Sequence, residues 1–408
     1  MRKAANSQTM RKPSHPFLAL ALLLAGAAVV VVLMLESPST AFSARLEVNQ
    51  IREATTDVES HQPEANSSNS RVDQTPTKKR ARVVYLGSNR QVETRDGRLT
   101  LGKQPGSLVL GRACTTVGSE YQPGELTDIR IESLTIYENP DDLNALFPDP
   151  KAKTKPVLVF VHGFYVEFEE AIQRVTQIVH ELDFDGHVVL YTWPSVFKVT
   201  LEGYGDDQQA IQASVNSCCR FIGNLSDHFG AQNVQVLAHS LGCRLIAKTL
   251  HKIHREEMAG SDPLIQNLIF AAPDIELDNF HRYYLSALTT GAQRVSIYFS
   301  SKDATLELAE RLDGRPPRLG RIGLPRGSHP VIEAVDYSSL PGGLWNMSTH
   351  NLYREHPAIV QDLRGVLSGS TPLSDRKLKD GLVQLIVQSA ENRKSDSTVV
   401  TLTRGNQK

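Results

Sequence analysis

Residues 234–250 read VQVLAHSLGCRLIAKTL, and this stretch decides the fold. A short β-branched, apolar run leads into Ala238-His239-Ser240-Leu241-Gly242. A helical pattern follows, with Leu245, Ile246, Thr249 and Leu250 on one face. A serine on a sharp strand-to-helix turn has its hydroxyl thrust clear of the backbone, and small residues two places before and after it let strand and helix pass closely. Ala238 and Gly242 hold those two places. A five-residue match recurs by chance, so its weight depends on the rest of the chain.

Upstream, Pro156 to Phe164 (PVLVFVHGF) is a continuous apolar run ending in His-Gly, the pattern of a strand buried on both faces of a parallel sheet. When a serine attacks an acyl carbon, the developing oxyanion needs two N–H donors, one after the nucleophile and one from the loop after an earlier strand. The expected backbone donors are Leu241 and either Phe164 or Tyr165. Downstream, Val188–Trp193, Leu268–Ala272 and Val295–Phe299 read as further strands. Helical patterns lie between, on Phe168, Ala171, Ile172, Val175, Ile178, Val179 and Leu182 and on Ile211, Val215, Cys218, Ile222 and Leu225. This alternation predicts an α/β protein with a mostly parallel central sheet flanked by helices.

A serine hydroxyl needs an imidazole to take its proton and a carboxylate to orient that imidazole. In hydrolases of this architecture the chain order is serine, acid, histidine. Asp303 stands just after the strand two beyond the nucleophile strand, and is the expected acid; Asp274, one strand earlier, is the alternative, and the aspartate not used is expected to be a loop or helix cap. Among His329, His350 and His356, the expected base is His350, because it follows a last strand at Val331–Tyr337 by a loop long enough to return to Ser240. His329 precedes that strand, and His356 reads as a surface residue beside a helix start. His239 leaves the backbone in a different direction from Ser240.

On these residues the chain resembles the α/β-hydrolases of unknown function once catalogued as domain of unknown function 900, described as esterase/lipase-like. The resemblance rests on Leu158–Phe164, Tyr191-Thr192-Trp193-Pro194-Ser195, Tyr204-Gly205-Asp206-Asp207, the Ser240 elbow, Ala271-Ala272-Pro273-Asp274 and Ser301-Lys302-Asp303. It extends forward to Val84–Arg90 and Leu99–Gly102, and so spans roughly residues 82–369. It implies a serine-triad hydrolase fold and brings no known substrate.

The amino terminus has Arg2, Lys3, Arg11 and Lys12 and no acidic residue before Glu36. Phe17–Leu35 is uncharged and apolar, about 28 Å long as a helix and long enough to cross a bilayer. Residues 1–36 are therefore expected to be a basic cytoplasmic end and an uncleaved membrane anchor, with the catalytic part outside the inner membrane. A signal cleaved before Ala44 is the alternative. Residues 37–81, rich in Ser, Thr, Gln, Asn and Glu, read as a disordered linker. Residues 82–150 form a β-rich extension of the sheet, 151–370 the catalytic core, and 371–408 a polar tail with a helix over Gly381–Ala390.

Lys+Arg 44 against Asp+Glu 45, with no aromatic residues beside Lys78-Lys79-Arg80, argues against nucleic-acid binding. Of four cysteines, Cys218, Cys219 and Cys243 read as small core residues, and Cys114 sits in a loop-like setting. No Cys/His spacing suggests a metal site, and the expected chemistry calls for no metal and no organic cofactor. The leading expectation is a membrane-tethered serine hydrolase of a small-molecule or lipid-like carboxylic ester. Acyl transfer or peptide cleavage on the same triad, or a non-catalytic envelope scaffold, are the other readings. Trp193–Asp207, with Trp193, Phe197 and Tyr204, is the expected substrate-covering segment, equally readable as core and loop aromatics.

Overall fold

The computed structural model describes residues 80–386 except 96, 138–141, 257–261, 325–331, 342–348 and 370–382, all within the unit Thr75–Lys408. The expected anchor, and the linker up to residue 79, lie outside the described residues. Among those described, no helix is long and apolar enough to cross a membrane.

Three long amino-terminal strands open the sheet: β1 (Arg80–Arg95), β2 (Arg98–Val117) and β3 (Ile129–Tyr137), paired antiparallel in that order. β4 (Val157–Val161), β5 (His187–Thr192), β6 (Val234–His239), β7 (Ile265–Ala271), β8 (Ala292–Phe299) and β9 (Ile332–Asp336) are mutually parallel, and β10 (Val383–Ile386) closes the far edge antiparallel to β9. The spatial order is β10-β9-β8-β7-β6-β4-β5-β1-β2-β3. The expected β-rich extension thus adds strands to one edge, with Val84–Ser88 of β1 running parallel to Val188–Thr192 of β5. Beyond Ser88, β1 pairs with β2 alone, so the hairpin overhangs the carboxyl end of β5.

The apolar runs explain the centre: β4 and β6 are buried throughout, as strands covered on both faces must be. One face carries α1 (Phe168–Glu181). The other carries α2 (Leu201–Phe229), α3 (Leu241–Glu256) and α4 (Leu285–Gly291). α5 (Ala304–Leu312) follows β8, and α6 (Pro357–Leu367) packs beside α1's core. In α1 the residues Phe168, Ala171, Ile172, Val175, Ile178 and Val179 are buried at helical spacing, and Glu169 and Glu170 sit in the first turn, where the helix dipole favours them.

Three sequence expectations change here. The end of the expected covering segment, from Leu201 on, is already helix α2, because Thr200 caps it by accepting a hydrogen bond from Gly203 N–H (2.9 Å). The tail segment expected to be helical contributes a strand at Val383–Ile386; a helix of ten residues is marginal alone, whereas the edge of β9 offers this β-branched run ladder partners. Cys114 lies within β2 rather than in a loop, and none of the four cysteines is in a disulfide, with Cys218 and Cys243 buried.

The order β6-β4-β5 places the topological switch at β4. The chain leaves β4 to one side for β5 and returns to the other side for β6. In open parallel sheets a crevice forms at such a point, outside the carboxyl ends of the strands. Those ends are Val161-His162-Gly163 and His239-Ser240.

Candidate active site

Ser240 alone joins β6 to α3, with φ +53°, a left-handed conformation uncommon for a residue with a side chain. Its backbone is held firmly: its N–H donates to Ala271 C=O (3.0 Å), and its C=O accepts from Cys243 N–H (3.0 Å) and Asp274 N–H (3.2 Å). Two glycines make the turn possible. A Cβ on Gly242 would lie 2.5 Å from His162 O and 2.6 Å from Val161 O, and one on Gly163 would lie 2.9 Å from Ser240 Cβ. The backbone after β4 therefore passes directly over the serine. As the first residue of α3, Leu241 has an N–H with no partner inside the helix.

Asp303 and His350 come together. His350 Nδ1 lies 2.7 Å from Asp303 Oδ2, both side chains buried. A carboxylate only accepts, so Nδ1 carries the proton and Nε2 is left as the basic nitrogen. Asp303 also caps α5, its Oδ1 accepting from Leu306 N–H (2.9 Å). The capping role expected of the unused aspartate thus falls to the one paired with histidine. His356 is the half-buried cap of α6, its Nδ1 accepting from Ala358 N–H (3.2 Å); His329 lies outside the described residues.

Asp274 lies in the loop after β7, as expected of the unused aspartate, and caps no helix. It is buried at the centre of a charge cluster: Arg244 Nη2 and Arg318 Nε each lie 2.9 Å from its Oδ1, and Tyr204 O–H donates to its Oδ2 (2.7 Å). Burial alone would raise its pKa, but the two guanidiniums hold it below the usual carboxylate range. Arg318 also pairs with Asp313. Through its own N–H, Asp274 braces the Ser240 carbonyl.

Sequence reasoning missed His239. Its Nε2–H donates to His350 C=O (3.2 Å), and its ring stacks on Tyr353 with centroids 4.5 Å apart. The two histidine rings lie 4.6 Å apart. Burial, then the neighbouring His350, push the His239 pKa well below its usual value, so it stays neutral. The residue beside the serine thus supports the backbone of the residue paired with Asp303.

The loop after β4 is fixed from several sides. His162, fully buried, lies 3.0 Å from Gly163 O through Nδ1 and 2.9 Å from Thr192 Oγ1 through Nε2. Arg90, from the overhanging hairpin, donates to Thr192 Oγ1 (2.9 Å), Gly102 O (3.0 Å) and Val166 O (3.0 Å). Of the two alternative donors in this loop, Tyr165 N–H is engaged by Asp207 Oδ2 (3.5 Å), which leaves Phe164 as the candidate beside Leu241. In the expected covering segment, Trp193 and Tyr204 are core residues, Trp193 N–H donating to His162 O (2.9 Å). Phe197 is half-buried, stacked on Tyr165 with centroids 4.0 Å apart.

Among the described residues no cluster of His, Cys, Asp or Glu could hold a metal ion. The arrangement offers a constrained hydroxyl, an imidazole oriented by a carboxylate and candidate backbone donors from the loops at the carboxyl ends of the strands.

Solved structures with a similar chain path include an esterase from the archaeon Pyrobaculum calidifontis. It is 13% identical, with 71% of this chain and 84% of that one covered and a TM-score of 0.31. A thermostable esterase from Pseudomonas putida is 11% identical, covers 76% and 86%, and has a TM-score of 0.33. EstE1, a carboxylesterase cloned from a metagenomic library, is 14% identical, covers 64% and 86%, and scores 0.31. Nothing about the reaction follows from likenesses of this strength. Comparison with curated proteins finds no match. The family described as alpha/beta hydrolase of unknown function (DUF900) matches residues 140–366, more than half of the chain and all of the elements that carry Ser240, Asp303 and His350. The chain belongs to that family of α/β-hydrolases.

Proposed function

We propose that this α/β-hydrolase is a serine hydrolase that cleaves carboxylic esters through an acyl-enzyme. The observation that carries the reading is the 2.7 Å Asp303–His350 pair together with a serine held at φ +53° on a one-residue elbow, whose neighbour His239 donates to the His350 carbonyl. A left-handed serine between two buried elements is backbone strain of the kind found at reacting residues.

In this reading Ser240 Oγ attacks the acyl carbon and its proton passes to His350 Nε2. The oxyanion sits against the N–H groups of Leu241 and Phe164. Collapse of the tetrahedral intermediate breaks the ester C–O bond, and the imidazolium returns the proton to the departing alcohol. Water then attacks the acyl-enzyme by the same route, releasing the acid and freeing Ser240. Asp303 holds the imidazole tautomer throughout. The substrate is a small-molecule or lipid-like ester, and residues 1–36 anchor the enzyme in the membrane with this domain on the extracytoplasmic side.

The test is hydrolysis of short p-nitrophenyl esters by the full chain. Wild type should release p-nitrophenol and Ser240→Ala should not, while both unfold at the same temperature. Equal rates from the two proteins would remove Ser240 as nucleophile. No turnover by either would favour a scaffold.

A further inference from the structure

The loop after β4 has two backbone N–H groups bound to a single buried side-chain pair. Tyr165 N–H donates to Asp207 Oδ2 (3.5 Å), and Val166 N–H to Ser195 Oγ (3.3 Å), which in turn donates to the same Asp207 oxygen (2.7 Å). The other oxygen, Oδ1, accepts from Val196 N–H (2.7 Å). Asp207 and Ser195 are both fully buried, Asp207 within α2 and Ser195 in the segment after β5. On either side stand two residues in the left-handed region, Tyr165 at φ +56° and Phe197 at φ +54°, their rings stacked in parallel. Neither is a glycine, so something must hold each in place.

Arg90 closes the loop from the other side through Val166 O. The N–H groups of Tyr165 and Val166 are taken and Gly163 is pressed against Ser240, so Phe164, between them, is the remaining candidate donor of the turn. A carboxylate suits this position because it accepts three hydrogen bonds at once and an amide cannot.

We propose that Asp207, acting with Ser195, is a positioning residue that sets the oxyanion-binding conformation of the Gly163–Val166 loop. This rests on the serine-hydrolase reading above. Neither residue touches the reacting atoms. Their effect is confined to where the Phe164 N–H points, and so to an interaction that strengthens only as charge develops on the acyl oxygen.

Asp207→Asn and Ser195→Ala in the full chain test the proposal, with p-nitrophenyl acetate as substrate and an alkyl trifluoromethyl ketone as an inhibitor that forms a tetrahedral adduct. The expected result is a kcat lowered roughly 10- to 100-fold with KM within about twofold, because a displaced oxyanion donor loses transition-state binding rather than substrate binding. The inhibition constant of the ketone should rise by a similar factor. The double variant should be no slower than Asp207→Asn alone, since the two act as one unit. Should Asp207→Asn fail to fold, Ser195→Ala carries the same expectation. Wild-type kcat in a folded variant, or a change confined to KM, would overturn the proposal while leaving Ser240 in place. Loss of the underlying reading would show differently, as an active Ser240→Ala variant.

Discussion

Asp303→Asn and Asp274→Asn should fail in opposite ways. At position 303 an asparagine keeps an oxygen for the Leu306 N–H and remains a good helix cap, so stability should change by less than about 1 kcal/mol. Its amide, however, would donate to His350 Nδ1 and leave the proton on Nε2, the wrong tautomer for a base. The expected fall in kcat is then roughly ten-thousand-fold. At position 274 the lost charge leaves Arg244 and Arg318 buried without their shared carboxylate. Breaking a buried pair costs roughly 3–5 kcal/mol, and the low end applies because Asp313 and Glu276 still face Arg318. That corresponds to a melting temperature lower by roughly 5 °C, with the folded fraction retaining most of its kcat. Ester hydrolysis at 25 °C together with thermal unfolding of both variants checks this. A stable but inactive Asp274→Asn beside an active Asp303→Asn would refute the assignment of the acid.

Burial raises the Asp207 carboxyl to about 6, against the lowering effect of its bonds to Ser195, Val196 and Tyr165. A carboxyl raised on folding contributes stability in its protonated form, fully present below the unfolded value near 3.8 and lost as pH rises through 6. Relative to Asp207→Asn, wild type should therefore lose roughly 2 kcal/mol between pH 4 and pH 7 in paired urea titrations, and a flat difference would contradict it. The membrane proposal predicts that the full chain stays in the pellet after a high-salt wash, since salt screens surface charge and does not extract a spanning helix. A shortened, released protein starting near Ala44 would show a cleaved signal, and full-length protein in the cytosol would contradict export.

The centre of the fold was legible because it is written locally. Continuous apolar runs mark β4 and β6, their ends carry His-Gly and the Ser240 elbow, and chain order points to Asp303 and His350. What was not legible depends on pairings across the chain. Nothing near Asp274 announces that Arg318, 44 positions later, will be buried against it. Asp207 lies in a polar stretch that reads as a loop or lid, and its role arises only when α2 brings it under Ser195 and Tyr165. His239 was set aside for the direction of its side chain, and that same direction carries it to the His350 carbonyl. The strand at Val383–Ile386 was hidden because a short apolar run fits either periodicity until an edge strand is available.

The central claim is that Ser240 is a nucleophile activated by His350 and Asp303, and covalent capture tests it most directly. The full chain is treated with a fluorophosphonate, which phosphonylates only an activated serine hydroxyl, and the adduct is located by peptide mass mapping. The account predicts a single adduct on the peptide bearing Ser240, absent in Ser240→Ala and formed far more slowly in Asp303→Asn. An adduct on another serine, or one that persists undiminished in Ser240→Ala, would contradict it.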